Sequence, residues 1–251
     1  MRILLTVSYA GTNFCGYQRQ PNKRTVEEEL QIALRKLLNK PVKTIASGRT
    51  DSGVHALCQV AHFDIEKGLP PEKYAPALNS VLPDDVQVLF SMQAPVGFHA
   101  RFGAKKKTYR YTFYVSDVKL PLKEAYAQRI VSADVKKMQE GAKYLVGEHD
   151  FKCFLASNSS VKDTVRRIYS CKVSAKGNEI YLEVCGNGFL YNMVRTIAGT
   201  LLYVGEGKYP PEYVKEILQS KERVKAGKTM PAKGLMLKNV CYKGLKLPKI
   251  Y

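Results

Sequence analysis

No stretch of these 251 residues is apolar for long enough to cross a membrane. A helical span needs about 18–20 apolar residues in a row, and every apolar stretch here is shorter and broken by polar side chains. The opening Met1-Arg2-Ile3-Leu4-Leu5-Thr6-Val7 is too short for the core of a signal peptide and lacks a small-residue cleavage site. It reads as a first strand, and the protein is expected to be cytoplasmic. Paired cysteines are also missing. Cys15, Cys58, Cys153, Cys171, Cys185 and Cys241 are scattered, with no C-x-x-C, which argues for reduced thiols over a disulfide framework. His55, His62, His99 and His149 add no metal-ligand spacing, so neither metal nor cofactor is expected. Acidic residues are scarce. Twenty-two Asp and Glu face 40 Lys and Arg, a formal net charge of +18. Such an excess attracts polyanions and releases their counterions. No long basic amphipathic helix stands out, so nucleic acid fits better than a membrane surface.

The pattern along the chain is strand, helix, strand, strand, helix, strand, and then the same again. Arg2 to Ala10 is apolar and β-branched. Thr25-Val26-Glu27-Glu28 has the form of a capping box, followed by Val26, Leu30, Ala33, Leu34 and Leu37 at helical spacing. Strands are expected at Val42–Ala46, Leu57–Ile65 and Val86–Met92, with a short helix over Pro71–Ser80. In the second half Tyr109, Tyr111, Phe113 and Val115 alternate along a strand from Lys107. Ser132 is the expected cap of a helix to about Val146. Lys176-Gly177-Asn178 signals a hairpin turn between Thr164–Ala175 and Glu179–Cys185. A helix is expected over Phe189–Val204, another after Pro210-Pro211, and a last strand over Leu235–Tyr242. Two β-α-β-β-α-β units in series predict an α+β protein of two ferredoxin-like (RRM-like) halves, 1–103 and 104–251. Their antiparallel sheets are expected to join into one extended sheet, with the active cleft between the halves.

One loop stands apart: Ser47-Gly48-Arg49-Thr50-Asp51-Ser52-Gly53-Val54-His55, between two strands. Glycines let the backbone bend sharply there, around a guanidinium, a hydroxyl and a carboxylate. By residue type alone the loop is open to two readings, a solvated turn capped by Asp51 or a carboxylate presented beside its own cation. A second cluster, Lys105-Lys106-Lys107-Thr108-Tyr109-Arg110-Tyr111, mixes cations with rings, as an RNA-binding strand does. The same tyrosines would equally suit a core. Arg195 lies one turn after Tyr191 on the polar side of its helix.

The loop from Ser47 to His55 resembles the signature loop of the tRNA pseudouridine synthase A family, and further matches follow in order over nearly the whole chain. Gly11, Gly16 and Gln18-Arg19-Gln20 resemble the family's opening motif. Phe98-His99-Ala100-Arg101-Phe102 with Tyr109-Arg110-Tyr111 resembles its central block. Asn187-Gly188-Phe189-Leu190, Met193-Val194-Arg195, Gly199-Thr200 and Val204-Gly205 resemble its long helix, and Gly234-Leu235, Leu237 and Tyr242 its last strand. Ala10, where aspartate is common, and Tyr17, where tryptophan is common, depart from the pattern.

The resemblance implies a tRNA substrate, a homodimer, and conversion of uridine to pseudouridine at positions 38, 39 and 40 of the anticodon stem-loop. It implies Asp51 as the catalytic aspartate and nucleophile, Tyr109 as the residue that stacks on the base and assists proton transfer, and Arg195 as the partner of Asp51. Arg49 is implied in RNA contact and base flipping. Arg101, Lys105, Lys106, Lys107 and Arg110 are the remaining candidates for substrate contact. Such a reaction loses no atom and changes no redox state, so the chemistry itself asks for neither metal nor cofactor. Attack at C1′, attack at C6 and removal of a ribose proton all remain open to the carboxylate. The alternatives are a non-catalytic RNA-binding protein of RRM-like architecture, which needs no loop carboxylate, and a methyltransferase. The latter would need a Gly-rich loop after the first strand and a doubly wound parallel order, and neither is visible.

Overall fold

The computed structural model describes residues 1–156 and 161–248. The chain forms two compact units, Met1–Lys105 with Leu237–Tyr251, and Lys106–Met236. The expected division gave 104–251 to the second half. The compact unit ends instead at Met236, and the chain from Leu237 lies with unit 1. Residues 249–251 of the expected half fall outside the described residues.

Unit 1 is built on β1 (Arg2–Tyr9), α1 (Val26–Leu38), β2 (Ile45–Ala46), β3 (His55–Asp64), α2 (Tyr74–Asn79) and β4 (Val86–Gln93). β1 lies between β4 and β3, antiparallel to both. Ile3, Leu4, Leu5, Thr6 and Val7 are therefore buried in succession rather than in alternation, as a central strand covered on both faces requires. β3 is inner as well and is buried from Gln59 to Phe63. β2 shrinks to two paired residues, Ile45 with His62 and Ala46 with Ala61, where a strand from Val42 was expected.

The expected capping box does not form. The Thr25 hydroxyl is buried without a partner and makes no cap bond. Carbonyls of the opening loop replace it: Val26 N–H donates to Gly16 O and Glu27 N–H to Tyr17 O. Glu28, the other half of the expected box, pairs with Arg19.

Unit 2 contains β5 (Ala104–Val115, shared at its first residues with unit 1), α3 (Pro121–Glu124), β6 (Gln128–Ile130), α4 (Val135–Lys143), β7 (Gly147–Asp150), β8 (Val165–Lys176), β9 (Glu179–Gly186), α5 (Met193–Gly205) and α6 (Tyr213–Ser220). The last strand, β10 (Leu235–Tyr242), begins at its end. The antiparallel order is β5-β9-β8-β7, with β6 parallel to β5. The β8–β9 hairpin turns through Gly177 (φ +59°), as expected.

Alternation along β5 fails beyond Tyr111, where Thr112, Phe113 and Tyr114 are all buried. α3 is the cause on the far face, since the Tyr114 hydroxyl bonds to Glu124 and accepts from Leu120 N–H. Asp134, not Ser132, caps α4, accepting from Lys136 and Lys137 N–H at 2.9 and 3.1 Å. α5 starts at Met193 and not at Phe189, because Asn192 before it is left-handed (φ 60°). Among the described residues no helix is long and apolar enough to cross a membrane.

Candidate active site

The loop carrying Asp51 is held from below by the opening loop. Tyr17 N–H donates to Thr50 O (3.1 Å), and Gly53 N–H donates to Phe14 O (3.2 Å). Ser52 Oγ also donates to Phe14 O, at 3.2 Å. Phe14 is itself pinned, with the Arg24 guanidinium 4.3 Å from its ring centre. Arg24 is fixed in turn by both oxygens of Asp85 (2.7 and 2.8 Å) and by Glu29 (2.8 Å). The two loops approach so closely that only glycine fits at two places. A Cβ on Gly11 would lie 2.0 Å from Val54 O, and one on Gly16 (φ +92°) 2.7 Å from Thr50 O.

A buried polar row supports the other side of the loop. Tyr9 OH and Thr50 Oγ1 share a 2.8 Å hydrogen bond. Burial pushes the Tyr9 phenol up to about 12, against smaller opposing effects of its hydrogen bonds, so it stays neutral. Ser47 Oγ donates to Gln59 Oε1 (2.6 Å), and Gln59 Nε2 donates to Gly48 O (2.9 Å). His55 Nδ1 accepts from Gly11 N–H at 3.0 Å, which places its proton on Nε2 when the ring is neutral. Asp51 itself is half-buried and its carbonyl closes the turn by accepting from Val54 N–H (3.1 Å). Arg49 is exposed. The result is a rigid turn with the carboxylate at its bend.

In unit 2, Tyr109 pairs with Val184 across the sheet and is buried, its ring meeting Phe189 edge to face at 5.2 Å. Arg195, on α5, is clamped: Nε donates to Met230 O and Nη1 to Asn192 Oδ1, both at 2.6 Å. Met230 N–H returns a bond to Arg195 O (3.2 Å). The Arg195 charge also reaches Tyr111, opposing the dominant effect of burial, which holds that phenol well above its ordinary value. Tyr111 OH donates to Pro231 O (2.9 Å).

The basic candidates are placed unequally. Arg101, Lys105 and Lys106 are exposed, and Lys107 is half-buried. Lys106 Nζ lies 4.8 Å from the centre of the Tyr169 ring. Arg110 is engaged by Glu183 (2.6 and 2.8 Å) and lies over Tyr181. Sequence reasoning missed the supports: Tyr9, Phe14 and Gln59 under one loop, and Asn192 and Met230 around Arg195. Their residue types are ordinary core or turn choices, so only their contacts reveal them. Among the described residues no three His, Cys, Asp or Glu side chains group as a metal site would require.

A family model described as tRNA pseudouridine synthase matches residues 5–103 and 142–243. The tRNA pseudouridine synthase A of Caldicellulosiruptor bescii is 44% identical over 241 residues, covering 96% of this chain and 99% of that protein. Those of Bacillus pumilus and Bacillus subtilis are each 47% identical over 245 residues, with the same coverage. The family-model match includes both the Ser47–His55 loop and α5, and the chain belongs to the tRNA pseudouridine synthase family, isomerases that convert uridine to pseudouridine.

Proposed function

We propose that this protein is a tRNA pseudouridine synthase A acting on uridines 38, 39 and 40 of the anticodon stem-loop, as a homodimer, with Asp51 as its nucleophile. The observation that carries the proposal is the turn at Asp51. The turn that carries the half-buried Asp51 is fixed by backbone bonds, Tyr17 N–H to Thr50 O, Gly53 N–H to Phe14 O and Val54 N–H to Asp51 O, within a chain that matches a tRNA pseudouridine synthase A over 96% of its length. Such rigidity has no use for a solvated surface residue, and it is what a nucleophile held in attacking geometry needs.

The reaction breaks the bond from uracil N1 to ribose C1′ and makes one from C5 to C1′. The proton on C5 leaves and N1 gains one, so atoms and charge balance without an oxidant. Asp51 stabilises or bonds the fragment freed by the first cleavage. Tyr109, its ring set by Phe189, stacks on the uracil and relays the C5 proton. Arg195, pre-set by Met230 and Asn192, pairs with the Asp51 carboxylate and keeps it ionised as water is displaced. Arg49, exposed and two residues before Asp51 in the same loop, takes the backbone of the flipped nucleotide. The order β4-β1-β3 with β2 on β3 supports reading unit 1 as a ferredoxin-like half.

The test is to incubate the protein with unmodified tRNA and map pseudouridine along the chain. Product at 38, 39 and 40 is expected. A folded protein that binds tRNA but leaves those uridines unchanged overturns the assignment.

A further inference from the structure

We propose that Phe102 is a stacking platform for an unpaired base of the RNA substrate, with Arg101 and Lys105 taking the adjoining phosphates. The inference rests on the reading of this protein as an RNA-modifying enzyme.

Exposure alone carries nothing, since Val96 and Leu122 are more exposed than Phe102 and single exposed apolar residues are ordinary. Phe102 differs in being held out deliberately. It is 76% exposed, yet it sits on a turn fixed from four directions. The Arg2 guanidinium donates to Phe98 O while Asp64 holds it in place (2.7 and 2.8 Å). Ala100 N–H donates to the buried His62 Nδ1 (3.2 Å), and Tyr242 OH donates to Ala100 O (2.7 Å). Gly103 N–H closes the turn on His99 O at 2.8 Å, and a Cβ on Gly103 would meet that same oxygen at 2.8 Å.

His99 then orders the tip. Its Nδ1 accepts from both Arg101 and Phe102 N–H (3.2 Å each), and its ring stacks under Phe102 with centroids 4.4 Å apart and planes at 29°. The Arg101 guanidinium lies 5.8 Å from the centre of the same ring. An aromatic face backed by one ring, flanked by a guanidinium and followed by exposed Lys105, matches what single-stranded nucleic acid asks for: a surface for the base and cations for its phosphates. The turn is ordered before binding, so little freedom is lost when a base arrives. An apolar protein partner would gain nothing from the cations around the ring.

The experiment compares wild type with Phe102→Leu, Phe102→Trp and Arg101→Ala, by equilibrium binding to unmodified tRNA carrying 2-aminopurine in the anticodon loop. Leucine keeps apolar bulk but cannot stack. Phe102→Leu is expected to bind on the order of tenfold more weakly, with an unchanged slope against salt and with the 2-aminopurine quenching lost. Phe102→Trp should restore both. Arg101→Ala should lower the salt slope by about 0.7–0.9, one phosphate. Wild-type affinity and quenching in Phe102→Leu overturn the platform, as does a Phe102 variant that alters only the oligomeric state. Wild-type turnover on the same tRNA tests the enzymatic reading separately. Weak binding by Phe102→Leu in a preparation that makes no pseudouridine supports the platform and sinks the reading. Unchanged binding in a preparation that does make it has the opposite consequence.

Discussion

Arg195 reaches two acceptors that a lysine cannot reach together. Its Nε and Nη1 donate to Met230 O and Asn192 Oδ1, a forked geometry that an ammonium lacks. Arg195→Lys keeps the charge and loses the clamp. Single-turnover rates should therefore fall in the order wild type, Arg195→Lys, Arg195→Ala, with lysine about tenfold or more below wild type. Wild-type rates in Arg195→Ala would remove the residue from the chemistry. His62 offers a pH signature at the same scale. Burial first, and then the charges of Arg2 and His99, lower its pKa to about 4. In the unfolded chain it titrates near the ordinary ~6.5. Between those values the unfolded chain holds the extra proton, so the stability from neutral His62 is complete above about pH 6.5 and is lost as pH falls toward 4. The difference comes to about 3 kcal/mol over the whole window. His62→Asn keeps an acceptor for Ala100 N–H and removes the titration. Denaturant unfolding should show wild type losing about 2 kcal/mol more than His62→Asn between pH 7 and pH 5. Equal losses would mean that His62 is not held neutral.

Element boundaries separate what the sequence discloses from what it does not. β1, α1, the β8–β9 hairpin and α6 were legible because each follows a local rule: apolar runs, 3.6-residue spacing, a glycine turn, prolines before a first turn. Both expected helix caps failed, for a tertiary reason in one case and a local one in the other. Thr25 was displaced by carbonyls of Gly16 and Tyr17, which the folding of the β1–α1 connection back on itself brings to the start of the helix. Asp134 outcompeted Ser132 because it stands where its carboxylate reaches two free N–H groups. α3, β6 and β7 are too short to show a period of their own. The loop that carries the proposed reactive carboxylate stands out in the sequence, whereas the residues that support it do not. The caps give opposed predictions. Thr25→Val removes a buried hydroxyl that has no partner and should be neutral or stabilising, by up to about 1 kcal/mol. Asp134→Ala removes a working cap and should cost about 1 kcal/mol. Thermal unfolding of the pair decides this. A loss of stability in Thr25→Val would restore the capping box.

Across the whole molecule, the net charge of +18 sets how the protein meets a polyanion. Affinity for tRNA should fall steeply with salt, by about 0.7–0.9 logarithmic units per phosphate neutralised for each tenfold rise in salt. Lys105 and Lys106 are exposed, whereas Arg110 is already paired with Glu183. Replacing Lys105, Lys106 and Lys107 by alanine should flatten the slope by roughly 1.5–2, and Arg110→Ala should change it little. A slope unmoved by the triple change would shift the electrostatic contact elsewhere on the surface.

The central claim is that the carboxylate of Asp51 performs the isomerisation, and release of tritium from tRNA labelled at uridine C5 tests it most directly. Asp51→Asn preserves the turn's size and its backbone bonds, so the variant should fold and bind tRNA as wild type does. Wild type should release tritium in step with pseudouridine formed at positions 38, 39 and 40, and Asp51→Asn should release none above background. Substantial release by a folded, tRNA-binding Asp51→Asn protein would contradict the account.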